Sequence, residues 1–371
     1  MNLKIRLGAV SAHRILKLTG SLCLLLHCLD ATAMGQEKPS TEPGEIYAGI
    51  ELTTEGARAI ALRISRGEED PGLKLLYSET IRLALGRAGD GQFAPQAAQE
   101  AAQTVLTLLT RLRQQCQAPP ERVFLIGSSG LGADHPEDLV NAISRTTGKT
   151  LTFLNVETEV QLSIVGTISR LGKVGDTQID NRNSSVLIEI NGDGALGGYQ
   201  LLKYPPSAPP GYDFVTMSLP HDTLSLAGVA SLRQALRKER ESKPGLANRK
   251  RVYLTGSVAW AMATLLYPED RQPFVPLTRE EIVWFAEKLA RAPQRLLNPN
   301  LSSIRDRDLR QKVELELQAV KSAFTPRQLI AGAEALKAVA SEFEWQEKQI
   351  WFARFGHLGC LLSYIRLRAE K

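Results

Sequence analysis

The chain has 371 residues, of which 43% are hydrophobic and 23% charged, a balance that is typical of globular proteins and sufficient for about two domains. This composition excludes a disordered or collagen-like chain. The formal net charge is +5, but +3 of it lies in the first 30 residues, which hold four basic residues and one acidic residue. We interpret the basic cluster between positions 237 and 251 as a solvated surface and expect no nucleic-acid partner.

Residues 1–33 have the pattern of a signal peptide. A basic segment ending at Lys17 precedes about 12 mostly apolar residues, and Ala31-Thr32-Ala33 offers a small-x-small cleavage site. The apolar run is shorter than the roughly 20 residues that span a bilayer. We therefore expect a periplasmic or secreted protein of the bacterial envelope with no membrane span after cleavage. A start codon assigned too far upstream, in front of a cytoplasmic protein, is the alternative.

Cleavage would leave two cysteines in the mature chain, Cys116 and Cys360. Because an exported protein meets an oxidising compartment, the two could form a disulfide. The sequence does not decide whether they pair.

After a linker at 34–45, the pattern over 46–172 predicts a first lobe in which strands and helices alternate. IYAGIEL, ARAIALRIS and LKLLYSETIRL predict three strands, since apolar and polar residues alternate in them. A helix with an apolar face is expected over Ala94–Gln117. Strands at RVFLIGSS and LTFLNV, each followed by a helix, complete the order β-β-β-α-β-α-β-α.

The polar segment 173–185 is the predicted boundary, and a second lobe is expected over 184–371. VLIEI, GGYQLLKY, DFVTMSL and RVYLTGS predict strands, with helices after the third and the fourth. Capping boxes at Thr278 and Thr325 predict the starts of two packing helices. We expect a long C-terminal helix over Glu342–Arg368.

Each predicted lobe has a carboxylate near the end of an apolar strand, Glu51 in YAGIEL and Glu189 in VLIEIN. A turn rich in small or polar residues follows each strand. Such turns expose backbone N–H groups to a phosphate, and a nearby carboxylate can hold a hydrated divalent cation. The candidate phosphate-binding residues are Thr53, Thr54, Asn191, Gly192, Asp193 and Gly194, and a third strand end has Thr255, Gly256 and Ser257.

Six segments, in order from about Tyr47 to Leu362, resemble the exopolyphosphatase/guanosine pentaphosphatase (Ppx/GppA) family. They are AGIELTTEGARAIAL, VFLIGSSGLGADHPEDLVNAI, NVETEVQLSIVGTI, VLIEINGDGALGG, TPRQLIAGAEAL and FGHLGCLL. The resemblance implies the actin, sugar-kinase and heat-shock ATPase fold. That is an α/β fold of two related ribonuclease-H-like lobes flanking a cleft, with a helical C-terminal part.

The resemblance also implies hydrolysis of a phosphoanhydride, either polyphosphate or a nucleotide-type substrate, with Mg2+. Glu159 matches the family's general base, which takes a proton from the attacking water. Partial burial is expected to raise the pKa of this carboxyl. Glu51 and Glu189 match two family aspartates that are associated with the metal.

Other matched positions depart from the family pattern. Asp193 places a negative charge where phosphate would approach, Leu196 replaces a glutamate, and Gly132 replaces an arginine. Loss of one phosphate-stabilising donor typically costs about a hundred- to a thousand-fold in rate. A catalytically impaired binding or scaffold protein on the same fold is therefore the alternative function. A nucleotide-binding module using Thr255, Gly256 and Ser257 is a weaker one, and a homodimer is left open.

Overall fold

A computed structural model describes residues 44–65, 72–83, 85, 95–132, 137–168, 171–174, 177–191, 194–201, 211–218 and 226–370. The expected signal peptide, residues 1–33, lies outside these residues, as does the linker up to residue 43. The described residues divide into two units. The first contains 44–127 and 137–152, and the second contains 128–132 and 153–370.

The first unit is built on a five-stranded sheet with the order β3-β2-β1-β4-β5. Its strands are β1 (Glu45–Thr53), β2 (Gly56–Ser65), β3 (Gly72–Arg82), β4 (Val123–Gly127) and β5 (Thr152–Phe153). The first three strands form an antiparallel meander, and β4 pairs with β1 in parallel. Helices α1 (Pro95–Cys116) and α2 (Glu137–Thr147) belong to the same unit. The predicted apolar face of α1 is buried at Val105, Leu108 and Leu112.

The second unit contains a six-stranded sheet with the order β10-β9-β8-β11-β13-β12 and a separate hairpin. The hairpin is β6 (Leu171–Val174) and β7 (Thr177–Asp180), and the sheet strands are β8 (Ser185–Ile190), β9 (Gly194–Gln200), β10 (Tyr212–Ser218), β11 (Arg251–Thr255), β12 (Phe274–Leu277) and β13 (Gln349–Ala353). Strands β8, β9 and β10 form an antiparallel meander, and β11 pairs in parallel with both β8 and β13.

The second unit also carries most of the helices that the structure describes. They are α3 (Val156–Thr167), α4 (Leu226–Ser242), α5 (Ser257–Leu266), α6 (Arg279–Arg291), α7 (Arg307–Ala323), α8 (Pro326–Glu342) and α9 (Gly359–Ala369), with helical turns of four or five residues at Ser129–Gly132, Gly245–Asn248 and Pro293–Leu297. Both predicted capping boxes, at Thr278 and Thr325, are formed. Within the described residues, no helix is both long and apolar enough to span a membrane.

The two sheets repeat one topology. The order β10-β9-β8-β11-β13 corresponds to β3-β2-β1-β4-β5, with the antiparallel meander in the same place and a parallel strand after it. This is the strand order expected for two related ribonuclease-H-like units. The predicted α/β fold class is therefore confirmed.

The predicted C-terminal helix over Glu342–Arg368 is wrong. Residues Gln349–Ala353 form β13, which lies inside the sheet between β11 and β12. The segment QIWFA has the β-branched and aromatic residues that favour strands, and Glu344 before it has a left-handed backbone with φ 57°. Tertiary pairing and this turn therefore break the expected helix into α8, β13 and α9.

The division between the units also differs from the predicted lobe boundary at residue 172. Helix α3 belongs to the second unit because Val160, Ile164 and Ile168 pack against Leu187 and Tyr253 of the second sheet. The polar segment expected as a boundary contains β7 and a helical turn at Asn181–Ser184.

Cys116 and Cys360 are each buried as thiols rather than joined in a disulfide. Burial raises the pKa of the Cys116 thiol to about 11. Because the thiolate is the reactive form, this cysteine is poorly disposed to oxidation at neutral pH.

Candidate functional site

Glu159 lies in the first turn of α3, which has a well-defined start. The Asn155 side chain caps the helix by accepting a hydrogen bond from the Thr158 amide at 2.8 Å. The Glu159 amide donates to the Asn155 carbonyl at 3.0 Å, so the backbone that carries the side chain is fixed. The residue is only 9% exposed. An acidic side chain near a helix N-terminus is favoured by the helix dipole.

The Glu159 carboxylate is held by a backbone amide from another segment. Its Oε2 atom accepts a hydrogen bond from the Ser129 amide at 2.6 Å. That distance is short for N–H···O and is typical of a charge-assisted hydrogen bond. The carboxylate therefore has a defined position, unlike a mobile glutamate on a helix surface.

Two glycines set the position of α3 within the second unit. A Cβ on Gly198 of β9 would meet Val160 Cγ1 at 2.6 Å, and a Cβ on Gly166 would lie 2.0 Å from the Gly359 carbonyl oxygen. The missing side chains thus let α3 approach both the sheet and the start of α9. Gly198 belongs to the segment that was expected to bind phosphate, and the structure gives it a packing role.

The other end of α3 is tied by polar contacts. Thr167 Oγ1 donates to the Gly356 carbonyl at 3.2 Å. The Arg182 guanidinium donates to the Val165 carbonyl at 2.8 Å and to the Ile168 carbonyl at 3.2 Å. An arginine at the last carbonyls of a helix stabilises its C-terminus.

Glu51 lies on β1 directly opposite Arg58 of β2. The two charged groups are 3.6 Å apart, between Glu51 Oε2 and Arg58 Nη1, and both residues are buried. Sequence reasoning missed Arg58. The signal was available, because a two-residue turn at Thr54-Glu55 fixes the hairpin register that pairs the two residues.

Thr53 and Thr54 lie where β1 turns into β2. The Thr53 hydroxyl accepts a hydrogen bond from the Glu55 amide at 3.2 Å and donates one to the Gly56 carbonyl at 3.4 Å. The Thr53 hydroxyl and the Glu55 amide therefore form hydrogen bonds within the turn itself.

Glu189, Asn191 and Ser257 meet at the ends of β8 and β11. Glu189 Oε1 accepts a hydrogen bond from Asn191 Nδ2 at 3.0 Å, and Asn191 Oδ1 accepts one from the Ser257 amide at 2.9 Å. The Asn191 amide also donates to the Gly194 carbonyl at 2.9 Å, which closes the turn. Gly192 and Asp193 lie outside the described residues, so the predicted effect of the Asp193 charge stays a prediction.

Thr255, Gly256 and Ser257 join β11 to α5. Thr255 pairs with Glu189 in the sheet and is 1% exposed. Gly256 has φ +92°, and a Cβ there would lie 2.4 Å from the Ile190 carbonyl oxygen and 2.8 Å from Asn191 Oδ1. Glycine is required at this position for backbone geometry, whatever this turn binds.

The two predicted metal-binding glutamates differ in their fit to a divalent cation. Glu51 does not fit direct coordination, because the buried Arg58 guanidinium faces its carboxylate and would repel the ion. Glu189 fits as one carboxylate ligand. The neutral side-chain amide of Asn191 donates a hydrogen bond to it, and this contact does not cancel the negative charge of the carboxylate. Hydrated Mg2+ needs only one or two protein carboxylates. Within each unit, the described residues bring no three His, Cys, Asp or Glu side chains together as a metal cluster.

The fold of this chain, but not its sequence, is similar to that of known proteins. No protein-family model and no curated protein matches the sequence. A Ppx/GppA family member from Aquifex aeolicus is similar in structure with a TM-score of 0.55 and 15% identity, over 89% of this chain and all of that one. An exopolyphosphatase-like protein gives 0.59 and 14%, over 87% of this chain and 99% of the other.

An exopolyphosphatase from Cytophaga hutchinsonii gives a TM-score of 0.56 at 11% identity, over 87% of this chain and 98% of that enzyme. The similarity therefore extends over nearly the full length of the solved structures, although few residues are identical. The chain has the fold of the Ppx/GppA phosphatases and exopolyphosphatases.

Proposed function

We propose that the chain is a phosphohydrolase that cleaves a phosphoanhydride bond, with Glu159 as the general base. The observation that supports this assignment is the buried carboxylate on α3, held by the Ser129 amide at 2.6 Å. A general base must lie at a fixed position within hydrogen-bond reach of its water. The resemblance around NVETEVQLSIVGTI supplies the expected role, and the contact supplies the fixed position.

In the proposed reaction, Glu159 accepts a proton from a water molecule as its oxygen attacks the terminal phosphorus. A new phosphorus–oxygen bond forms, and the bond from that phosphorus to the bridging oxygen breaks. The bridging oxygen keeps the electron pair and leaves with the shortened chain. Glu159 then returns its proton to solvent.

We assign Glu189 as the residue that would hold hydrated Mg2+. The ion, when bound, screens the negative charge of the phosphates. Glu51 contributes instead to a buried ion pair with Arg58. Of the two glutamates predicted to hold the metal, Glu189 therefore retains this proposed role and Glu51 does not.

Linear polyphosphate is the proposed substrate class, with a nucleotide-type phosphoanhydride as the alternative. Two of the similar structures are exopolyphosphatase or exopolyphosphatase-like proteins. If residues 1–33 direct export, the reaction takes place in the bacterial envelope, where neither the cytoplasmic polyphosphate pool nor the guanosine tetraphosphate pool is expected. Export therefore favours neither substrate class over the other.

The test is phosphate release from long-chain polyphosphate and from ATP, with Mg2+, by the chain from Met34 onward. We expect Glu159→Gln to reduce release at least a hundredfold, because general-base catalysis contributes about a hundred- to ten-thousand-fold. Glu157→Gln is the matched control, since Glu157 is an exposed glutamate on the same helical turn. Retention of full activity by Glu159→Gln would contradict the assignment.

A binding protein without turnover is the second candidate function. The observation in its favour is that, within each unit, a backbone amide of a candidate binding turn is already hydrogen-bonded to a neighbouring side chain. The Glu55 amide is bound by Thr53, and the Ser257 amide by Asn191. Folded protein that binds polyphosphate and releases no phosphate would support this candidate over the hydrolase.

A further inference from the structure

The Ser129 amide is itself held in place before it reaches Glu159. Ser129 follows β4 and begins the helical turn Ser129–Gly132. Ser128 is 6% exposed, and the Leu131 amide closes the turn by donating to the Ser128 carbonyl at 3.1 Å. The Leu131 side chain is fully buried. The donor is therefore a preorganised group on a fixed segment.

The acceptor is restrained in the same way. Glu159 is on the first turn of α3, where Asn155 caps the helix, and its neighbour Val160 packs into the second sheet. With both partners fixed, the 2.6 Å contact limits rotation of the carboxyl group about its last side-chain bond. Low exposure of Glu159 means that water is a poor substitute for the amide.

We propose that the Ser129 backbone amide is a positioning group for catalysis, which orients the Glu159 carboxylate toward the attacking water. This inference rests on the proposed hydrolase function. The amide fixes the position of Oε2. Because the carboxyl group is planar and rigid, the lone pairs of Oε1 then point in a constant direction. Preorganisation of this kind lowers the barrier because no reorientation is needed in the transition state. Ser129 acts through Glu159 and is not itself a catalytic residue.

Replacement of Ser129 by proline removes the amide hydrogen together with the hydroxyl, and the ring Cδ takes the place of the hydrogen, so the Glu159 carboxylate loses its donor and is displaced. Proline is well tolerated at the first position of a helical turn, where its fixed φ suits the backbone. Ser129→Ala is the comparison variant, because it removes the hydroxyl and keeps the amide. Arg307→Pro is the matched control, since Arg307 is exposed and occupies the same first position in α7, where Asp306 caps the next two amides.

We expect Ser129→Pro to lower kcat for polyphosphate at least tenfold more than Ser129→Ala, with KM for polyphosphate within about twofold of the wild type. Arg307→Pro is expected to retain the wild-type kcat and KM. A purely structural role would lower the melting temperature and the folded fraction, which by itself lowers the apparent kcat without changing KM. The kcat of each variant is therefore calculated per folded molecule, and a loss that disappears after this correction would contradict the positioning role.

A second replacement keeps the test decisive if Ser129→Pro folds poorly. The α-hydroxy analogue of serine at position 129 replaces the amide N–H by an ester oxygen without adding a ring, and the same fall in kcat is expected. In a Glu159→Asp background, where the carboxylate is withdrawn by one methylene from the Ser129 amide, adding this replacement should cost less than twofold in kcat. Equal kcat for Ser129→Pro and Ser129→Ala, in an active wild-type protein, would overturn the positioning role and leave the hydrolase proposal standing. A wild-type protein that releases no phosphate would overturn both.

Discussion

At the residue scale, the buried ion pair with Arg58 gives Glu51 a structural role. Removing two charges from water is costly, and their attraction must offset that cost. Here the pair is 3.6 Å apart and the two side chains are 1% and 10% exposed. Loss of either partner would leave the other as a buried charge, which costs more than loss of both.

We therefore expect Arg58→Met to lower the free energy of unfolding by about 3 kcal/mol. The double variant Glu51→Gln/Arg58→Met should lose less than the sum of the two single losses, because it leaves no charge behind. Urea denaturation of the four proteins measures this coupling. Additive losses would show that the two residues do not stabilise each other.

The site residues illustrate what sequence can predict at this scale. The resemblance of NVETEVQLSIVGTI predicts Glu159 as the general base, and this stays a prediction, whereas Arg58 could have been found from the hairpin register. The Ser129 contact could not, because it joins residues 30 positions apart. Neither the periodicity of α3 nor that of β4 indicates which backbone amide reaches a given side chain.

At the element scale, α3 is positioned by close contacts at glycine. A Cβ on Gly359 would itself come within 2.4 Å of Thr167 Oγ1, so the approach of α3 to α9 is tight from both sides. The close packing of protein interiors leaves little room for such a group to move. We therefore expect the position of Glu159, at the other end of α3, to depend on this contact.

Gly166→Ala tests that dependence. Alanine favours a helix over glycine by about 1 kcal/mol, but overlap with the Gly359 backbone costs about 3 kcal/mol. A net loss of about 2 kcal/mol is therefore expected in urea denaturation, together with reduced phosphate release.

Gly211→Ala provides the control for this substitution. Its Cβ would meet the Leu201 side chain, which is 37% exposed and can move away. We expect a loss below about 1 kcal/mol in this variant. A Gly166→Ala protein as stable as the wild type would mean that α3 and α9 can separate at little cost.

The elements that sequence predicted are those whose pattern is local. The three-strand meanders alternate apolar and polar residues, α1 has an apolar face, and the capping boxes at Thr278 and Thr325 are local motifs. Strand β13 was not predicted because the contacts that form it are not local. The segment QIWFA is short and follows a helix, and it becomes a strand by pairing with β11 and β12.

At the scale of the whole molecule, the repeated strand order defines the fold of each unit but not its chemistry. The similarity to solved Ppx/GppA and exopolyphosphatase structures is at 11–15% identity, so it establishes the fold alone. The fold is compatible with hydrolysis or with binding alone, so ligand binding must be measured separately from turnover.

Polyphosphate binding should stabilise the folded chain by mass action, whether or not hydrolysis follows. We expect long-chain polyphosphate, at about a hundred times its dissociation constant, to stabilise the Glu159→Gln protein by about 2.7 kcal/mol. This corresponds to a rise of about 4 °C in melting temperature for a chain of this length. Poly-aspartate of similar length and charge is the control for non-specific attraction.

The wild-type protein, measured beside Glu159→Gln, separates the two candidate functions. A hydrolase should show a melting temperature shift in the variant, phosphate release in the wild type, and a shift in the wild type that declines as polyphosphate is consumed. A binding protein should show equal and lasting shifts in both, because neither removes the ligand. If poly-aspartate shifts the melting temperature as much as polyphosphate does, the interaction is an effect of charge alone and the binding-protein candidate is contradicted, whereas absence of phosphate release from the wild type contradicts the hydrolase.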